Sequence, residues 1–426
     1  MVIRKEFECV SCKKHFFFRY SPGRDNLFKF RINCPNCNLE MHGECYLNYK
    51  ETDGTINLKN LGEKIRLSGA KQLDHNIIDE DCFAVTVYAD IPILKNVYIT
   101  KGNEFGMAMP AMQTMQCLGN DKAIEFLKMI EHTLNIPEDD FRFIKEAFNQ
   151  YKLNNLDKAK EILEKISNCK ISKLSHIPSA CVILYQIYFL GLIGKWPDLY
   201  QHIKMIENII SNNPVIFFDT IKTFCDINFI ENYLEKITDL SEELFNARIL
   251  ITISKYLEYS AIEISEYQLT HDYPDQFYHL YEQLCEFSHS LIKIIIGYLN
   301  TQNRGSIDKF YNNEYKNYKH YFNNAKLFNS LDLINEHKYF GSFFNTNIER
   351  NIRNGIAHKT IHFSIDGQKI VVKNKEKESE YMYVEILVKM IHLAQSSLAG
   401  FTIFTDIKRM VSDKLWETQK LSNGTG

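Results

Sequence analysis

The spacing of apolar residues changes along the chain near residue 121. Residues 56–100 place apolar residues in short alternating or β-branched stretches, which predicts short strands. From residue 121 onward, apolar positions recur every three to four residues, which predicts helices. Short β-branched stretches return at 361–372 around an Asp-Gly turn, which predicts a hairpin before a final amphipathic helix at 383–404. The pattern therefore predicts a mainly α fold with a β-rich N-terminal part.

Two stretches of the helical region have the form of helical hairpins. Residues 141–166 predict two helices joined by a tight Asn-Asn turn, and residues 182–206 repeat the arrangement. The turn at 155–157 lies 40 residues before a similar segment at 195–197. These hairpins resemble tetratricopeptide-type repeats, and an irregular helical domain is the alternative. Either arrangement provides a scaffold or a recognition surface.

Composition is typical of a soluble globular protein. The chain has 426 residues, 45% hydrophobic and 24% charged, and this balance excludes disorder and collagen-like structure over most of its length. The longest apolar run, residues 180–194, is shorter than the ~20 residues of a membrane-spanning helix. The first ten residues lack the apolar segment of a signal peptide. We therefore expect a cytoplasmic protein with no membrane partner.

Charge is distributed unevenly around a formal net charge of −3. Residues 51–299 are acidic, whereas the segments before and after them are mildly basic. This distribution does not indicate a large electrostatic surface for nucleic acid. It leaves room for local contact with phosphates at either end of the chain.

Four cysteines near the N-terminus have the spacing of a metal site. Cys9 and Cys12 form one C-x2-C pair, and Cys34 and Cys37 form a second. Four thiolates in two such pairs complete a tetrahedron and leave no open position for water, so the pattern predicts a structural zinc ribbon. Four unrelated buried cysteines are the alternative. Nearby substitutes for a ligand are His15, His42 and Cys45.

A second group of chemically active residues occurs near the C-terminus. The hexapeptide RNGIAH places Arg353 and Asn354 ahead of His358. This motif, with long helices before it and a hairpin and closing helix after it, resembles the R-x4-6-H motif of HEPN domains. The resemblance covers about residues 275–405. It implies a helical bundle with a β-hairpin and a metal-independent endoribonuclease that acts as a dimer, with both copies of the motif lining one cleft.

The residue types fit RNA cleavage on physical grounds. His358 is a general base or acid with a pKa near neutrality, suited to activating a ribose 2′-OH or protonating the leaving 5′ oxygen. Arg353 would stabilise the charge on the phosphorane, and Asn354 shares a helical face with His358 and could orient it. Small residues at Gly355 and Ala357 would suit close approach of a second copy.

Three alternatives to catalysis remain for this motif. Arg353 and His358 could serve only to cap and solvate a helix end, or the HEPN-like fold could bind RNA without cutting it. The third is a non-catalytic adaptor, which binds RNA or protein through the zinc ribbon and the repeats and dimerises through its HEPN-like helices. An intramolecular pair of Arg353 with Glu349 or Asp366 would favour this adaptor. The Tyr that follows the His in HEPN toxins paired with nucleotidyltransferases is absent here, because Lys359 and Thr360 stand there.

Aromatic residues at helical spacing mark one further segment. Tyr311, Tyr315, Tyr318 and Phe322 follow one another at intervals of 4, 3 and 4 residues, with lysines between them. Such a stripe could stack RNA bases. A core or dimer stripe is the interpretation that we favour.

These observations predict a four-part architecture. Residues 1–50 form a zinc ribbon, 51–118 a small β-rich extension, 119–270 a helical repeat-like domain and 271–426 a HEPN-like domain. The resemblance implies an RNA substrate, a homodimer and a toxin-like role in bacterial anti-phage defence of the abortive-infection type. The first parts would then sense a phage or host protein trigger or restrain the nuclease.

Overall fold

The structure is a computed structural model of the 426-residue chain. It describes residues 3–21, 27–48, 51–52, 55–56, 62–73, 82–101, 110–134, 138–153, 155–166, 169–174, 177–193, 198–226, 229–311, 314–364, 367–374 and 377–423.

The protein is mainly helical with several small sheets, as predicted from the apolar spacing. The strands are β1 (Ile3–Cys9), β2 (His15–Ser21), β3 (Leu27–Asn33), β4 (Glu40–Asn48), β5 (Glu51–Thr52), β6 (Thr55–Ile56), β7 (Gly62–Leu67), β8 (Ala70–Gln72), β9 (Phe83–Tyr88), β10 (Ile93–Leu94), β11 (Ile99–Lys101), β12 (Tyr267–Gln268), β13 (Ile361–Phe363), β14 (Lys369–Asn374) and β15 (Lys377–Met382). The helices are α1 (Lys95–Tyr98), α2 (Pro110–Leu118), α3 (Asn120–Leu134), α4 (Glu138–Lys152), α5 (Leu156–Leu163), α6 (Ile177–Ile193), α7 (Asp198–Ser211), α8 (Pro214–Asp226), α9 (Phe229–Asn246), α10 (Arg248–Tyr259), α11 (Pro274–Arg304), α12 (Tyr318–Asn324), α13 (Leu327–Ile334), α14 (Lys338–Asn347), α15 (Arg350–Ala357) and α16 (Tyr383–Asn423).

The chain divides into two compact units, each made of separate stretches of sequence. The first unit is residues 1–134, 247–279 and 354–391, and the second is 135–246, 280–353 and 392–426. The boundary falls inside α11, α15 and α16, so these helices contribute residues to both units. The four-part division expected from the sequence stays a prediction.

The sheets lie in the first unit. A five-stranded sheet has the order β11-β9-β2-β1-β8, in which β2 runs parallel to β9 and the other pairs are antiparallel. A three-stranded antiparallel sheet has the order β3-β4-β7. Parallel pairing of β2 with β9 needs a long connection, and the intervening strands β3 to β8 supply it.

Aromatic side chains pack between these two sheets, the five-stranded one and the β3-β4-β7 sheet. The alternation in β3 buries Phe28 and Phe30 and leaves Lys29 exposed, as expected for a strand with one covered face. The Phe30 ring stacks on Phe18 of β2 at 4.8 Å between centroids. It also covers Gly43 of β4, where an added Cβ would lie 2.1 Å from the ring, so this close approach requires glycine.

The long helices α11 and α16 supply much of the core of the second unit. Tyr233 of α9 stacks on Phe404 of α16, and Phe224 of α8 meets Tyr298 of α11 edge to face. In the described part of the chain, Tyr383–Ile407 has the length and composition to cross a membrane, but 83% of its most apolar stretch is buried inside the protein. Such burial is typical of a core helix in a soluble protein.

Local predictions from the pattern have mixed outcomes. The helical hairpin at 141–166 is confirmed as α4 and α5, whereas residues 195–197 of its second copy lie outside the described residues. The hairpin at 361–372 is confirmed as β13 and β14, with Asp366 of its turn outside the described residues, and β15 adds a third strand. The core interpretation of the aromatic stripe is confirmed at Tyr315 and Tyr318, which are buried. Its helical spacing was wrong at the start, because Tyr311 and Tyr315 precede α12 and Tyr311 is exposed.

Candidate functional site

The four predicted zinc ligands come together at one end of the first unit. The sulfur atoms of Cys9, Cys12, Cys34 and Cys37 all lie within 4.8 Å of one another. The Cys9 and Cys37 sulfurs are 3.7 Å apart, and those of Cys12 and Cys34 are also 3.7 Å apart. Four thiolates at this spacing are compatible with a metal site.

Two similar turns place these sulfurs. Each C-x2-C pair connects two antiparallel strands, β1 to β2 and β3 to β4. The residue after each pair has a left-handed backbone, with φ of 59° at Lys13 and 60° at Asn38. Their N–H groups donate to the carbonyls of Cys9 and Cys34, the first cysteine of each pair. These turns aim both sulfurs of a pair to the same side.

The surroundings shift the pKa values of Cys12 and Cys34 in opposite directions. Burial acts to raise the pKa of the Cys12 thiol, but hydrogen bonds from the Lys14 backbone and the Asn36 side chain outweigh it and lower the pKa to about 6. Burial raises the pKa of Cys34 to about 12. A metal ion deprotonates coordinating thiols, so binding would release protons from this group.

A polar network joins strand β3 to later parts of the first unit. The Arg31 guanidinium donates to Asp272 at 2.8 Å and to the Ser364 carbonyl at 3.4 Å. His42 of β4 lies 2.7 Å from the other carboxylate oxygen of Asp272 and 2.9 Å from Glu40. We call these five residues the Arg31 network. It connects the strands on either side of Cys34 and Cys37 with the hairpin that follows His358.

The Arg–Asn–His motif lies on the short helix α15 and the residue after it. Arg353 and Asn354 are inside the helix, and His358 follows its last residue, with its backbone N–H donating to the Asn354 carbonyl at 2.9 Å. The predicted i, i+4 relationship of Asn354 and His358 is therefore present. His358 is exposed to solvent. The unit boundary falls between Arg353 and Asn354.

Arg353 is engaged by a carboxylate within the second unit. Its Nη2 atom donates to an oxygen of Glu286 on α11 at 2.6 Å. Arg353 is about one quarter exposed, and its Nε atom is buried with no hydrogen-bond partner among the described residues. The partner that the structure shows is thus Glu286, which the sequence did not suggest, and Asp366 lies outside the described residues.

Gly355 is covered by the protein's own hairpin. An added Cβ at this position would lie 2.8 Å from Cγ1 of Val372 on β14 and 3.3 Å from Ile361 on β13. The expectation that this small residue suits close approach of a second copy was therefore wrong for Gly355. The packing also fixes the end of α15, since the Thr360 N–H donates to the Gly355 carbonyl at 2.8 Å.

Sequence reasoning missed a group of charged residues around Arg353. Lys236 of α9, Lys293 of α11 and Arg353 form what we call the basic cluster. Burial lowers the pKa of His289 on α11 to about 3, and the charges of all three cations act in the same direction. His289 is therefore neutral at physiological pH and bonds the Ser330 hydroxyl at 3.1 Å.

Lys293 is the most enclosed member of the basic cluster. Its ammonium donates to the backbone carbonyl of Phe322 at 2.6 Å and lies 4.7 Å from the centre of the Phe322 ring. Burial, and then the charge of Lys236, lowers the pKa of Lys293 to about 8, against the opposing effect of Glu286. Glu286, His289 and Lys293 are spaced i, i+3 and i+7 along α11, so they share one helical face.

Comparison with known proteins does not assign this chain to a family. No family model, no curated protein and no solved structure matches this chain. The function must therefore be argued from the residues themselves.

Proposed function

We propose that the protein is a metal-independent endoribonuclease of the HEPN type. The observation that carries the proposal is the placement of His358, exposed at the end of α15 and one helical turn after Asn354. An exposed imidazole in this position is accessible to a bound RNA chain. Asn354 is close enough along the helix to orient it or to contact a phosphate.

The proposed reaction is transfer of the RNA phosphate to the neighbouring 2′ oxygen. His358 takes the proton of the ribose 2′-OH as that oxygen attacks phosphorus, or returns a proton to the leaving 5′ oxygen. Arg353 stabilises the extra negative charge on the pentacoordinate phosphorane. The products are a 2′,3′-cyclic phosphate and a free 5′-OH, so protons and charge balance without a redox partner.

Cleavage of cellular RNA by purified protein tests this proposal. Wild type, His358→Ala and Asn354→Ala are compared in EDTA, with retained protein-bound zinc verified in each sample. His362→Ala is a matched control, because His362 is an exposed histidine on β13 four residues beyond the site. We expect wild type and the control to leave 2′,3′-cyclic ends and His358→Ala to be inactive. Equal cutting by His358→Ala would refute the site assignment.

The pairing of Arg353 with Glu286 favours a second function, that of a non-catalytic adaptor. An arginine held by an internal carboxylate at 2.6 Å is not free to bind a phosphorane. In this alternative the cysteine-rich strands and the helices bind RNA or protein, and the helices dimerise. Absence of cleavage in wild type, together with a stable dimer in solution, would support the adaptor.

Zinc is the metal that we propose for the cysteine cluster. With Zn–S bonds of about 2.3 Å, the corners of a tetrahedron are about 3.8 Å apart. The two sulfur pairs at 3.7 Å fit this spacing. All four positions would be filled by sulfur, so the metal would stabilise the fold and take no part in catalysis.

The biological setting that we propose follows from the resemblance of the motif alone. It is a cytoplasmic, toxin-like nuclease in anti-phage defence of the abortive-infection type, acting as a homodimer under the control of a phage or host protein trigger. Light scattering of the purified chain tests the dimer. Expression of wild type and His358→Ala in bacteria tests toxicity, which should disappear with the variant.

A further inference from the structure

The basic cluster carries more positive charge than its neighbours neutralise. Glu286 pairs with Arg353. Lys236 is exposed and has no ion pair in the described part of the chain, while Lys293 donates to a neutral carbonyl. Among the described residues, the charges of three cations act on the neutral His289 imidazole, and the Glu286 carboxylate pairs with one of them, Arg353. Like charges held close together repel one another, and a bound anion would offset that repulsion.

The cluster is open to a ligand from outside. The Glu286 side chain is 44% exposed and the Arg353 side chain is 27% exposed. Lys236 is exposed as well, whereas Lys293 is partly buried and would contact a ligand at its inner side. An anion could approach from solvent without the backbone having to move.

We propose that the basic cluster binds a phosphate group of RNA, and that the Glu286 carboxylate holds the Arg353 guanidinium until this phosphate displaces it. The inference rests on the proposed ribonuclease function for its choice of RNA as the ligand. It adds Lys236 and Lys293 as phosphate-binding residues and Glu286 as an internal competitor.

The chemistry of the groups supports this exchange. A guanidinium donates two parallel hydrogen bonds to a carboxylate or to a phosphate, so Glu286 and a phosphate would compete for the same donors. The two lysines would add positive charge beside the bound phosphate and so favour the phosphate complex. A bound phosphate would also favour the charged form of Lys293, whose pKa burial lowers to about 8.

Binding of RNA by the full chain in a His358→Ala background tests the inference without cleavage. The probe is a labelled single-stranded RNA that lacks a terminal phosphate, followed by fluorescence anisotropy at several salt concentrations. Lys236→Met and Lys293→Met remove one charge each. Lys158→Met is the matched control, because Lys158 is an exposed lysine of α5 in the same unit with no ion pair among the described residues.

We expect each lysine variant of the cluster to weaken binding about tenfold. A plot of the logarithm of the RNA association constant against the logarithm of salt concentration has a negative slope. Its magnitude should decrease by about 0.7 for each lost phosphate contact, which a purely structural effect would not produce. Glu286→Gln should bind RNA more tightly than the background protein, and Lys293→Arg should restore binding. Lys158→Met should change neither affinity nor slope.

The source of the phosphate is distinguished by comparing this probe with the same RNA carrying a 5′-phosphate. Tighter binding of the phosphorylated RNA, lost in the cluster variants, would assign the site to a terminal phosphate, and equal binding that the cluster variants weaken would assign it to the phosphodiester backbone; both results support the site. Cluster variants that bind RNA as tightly as Lys158→Met, with unchanged salt slopes, would overturn it. So would weaker binding by Glu286→Gln.

The two proposals can fail separately. If wild type does not cleave RNA and the cluster variants still lose RNA binding, the ribonuclease proposal fails and the phosphate site stands. If wild type cleaves RNA and the cluster variants bind it normally, the phosphate site alone fails. Thermal unfolding of each variant excludes loss of fold as the cause.

Discussion

The guanidinium of Arg31 lies 2.8 Å from the carboxylate of Asp272, which is 241 residues further along the chain. Both side chains are largely buried, with 14% and 18% of their surface exposed. A charge pair in such surroundings depends on both partners, since loss of one leaves the other unpaired away from water. The pair therefore fixes the strand that leads to Cys34 against the segment that precedes α11.

Replacement of Asp272 by Asn should destabilise the first unit by about 2 kcal/mol at neutral pH, the usual cost of losing charge-assisted hydrogen bonds. Burial acts to raise the pKa of Asp272, but hydrogen bonds from His42 and Arg31 outweigh it and hold the pKa below its usual value of 3.8. The stabilisation is therefore present above pH 3.8 and is lost as pH falls through the lower folded pKa.

Urea unfolding of wild type and Asp272→Asn at a series of pH values measures this effect. The difference between the two proteins should shrink below pH 3.8, and taking the difference removes contributions from other groups such as the cysteines. Glu263→Gln, at an exposed acidic position, should leave stability unchanged. A difference that is constant across the pH series would contradict the predicted ionic contribution.

On the proposed zinc site, wild type should carry one zinc ion per chain, and substitution of Cys12 or Cys37 by Ser should reduce this content to well below one, because a structural site needs all four thiolates. Elemental analysis after dialysis measures the metal, and thermal unfolding measures the accompanying loss of stability. Cys225→Ser is the control, because Cys225 lies on α8 outside the cluster. Full zinc content in Cys12→Ser would exclude Cys12 as a ligand.

Gly355→Ala should destabilise the protein by about 1–3 kcal/mol through overpacking against β14. At an exposed helical position, replacing Gly by Ala stabilises a protein by about 1 kcal/mol. The sign of the change in the free energy of unfolding therefore shows whether Gly355 is packed or exposed. Adding Val372→Ala removes the atom that an alanine Cβ would meet at 2.8 Å. The double variant should therefore be less destabilised than the sum of the single variants, as measured by urea unfolding. Strict additivity would place Gly355 away from Val372.

His289 should remain uncharged from pH 8 down to about pH 4, since burial and then its cationic neighbours lower its pKa to about 3. In the unfolded chain this histidine has an ordinary pKa near 6.5, so below that pH the unfolded state binds a proton that the folded state does not. The contribution of His289 to the free energy of unfolding therefore decreases as pH falls from 6.5 toward 3, by up to about 1.4 kcal/mol per pH unit. Imidazole nitrogen shifts measured by NMR check the protonation state. Comparison of unfolding in His289→Gln checks the slope, which should be smaller than in wild type.

The sequence alone predicted the parts of the fold that depend on local spacing. The C-x2-C pairs predicted the meeting of four sulfurs, because each pair is a short turn whose geometry is set by its own residues. Helices α4 and α5 and strands β13 and β14 followed from apolar periodicity and turn residues. Strand β15 was missed because KESEYM is largely polar, with three residues exposed and three partly buried, and it lacks the apolar alternation that marks a half-buried strand.

The surroundings of the candidate site could not be predicted in this way. Glu286 and Arg353 are 67 residues apart, and no periodicity connects them. Lys236 and Lys293 lie on separate helices and read as ordinary solvated lysines in the sequence. Gly355 was interpreted as a surface residue because its small size, like that of Ala357, would leave room for a second copy, yet a hairpin that follows it in the chain covers it.

The division of the chain into interleaved stretches sets the order in which the protein can be completed during synthesis. The first unit needs residues 354–391 as well as 1–134, so its N-terminal strands leave the ribosome long before their partners exist. At elongation speeds of about 5–20 residues per second the interval is roughly ten to fifty seconds. Helix α15 itself supplies residues to both units, so a polypeptide that ends before this helix has neither unit whole. Completion of both units therefore waits for the last third of the chain to be synthesised.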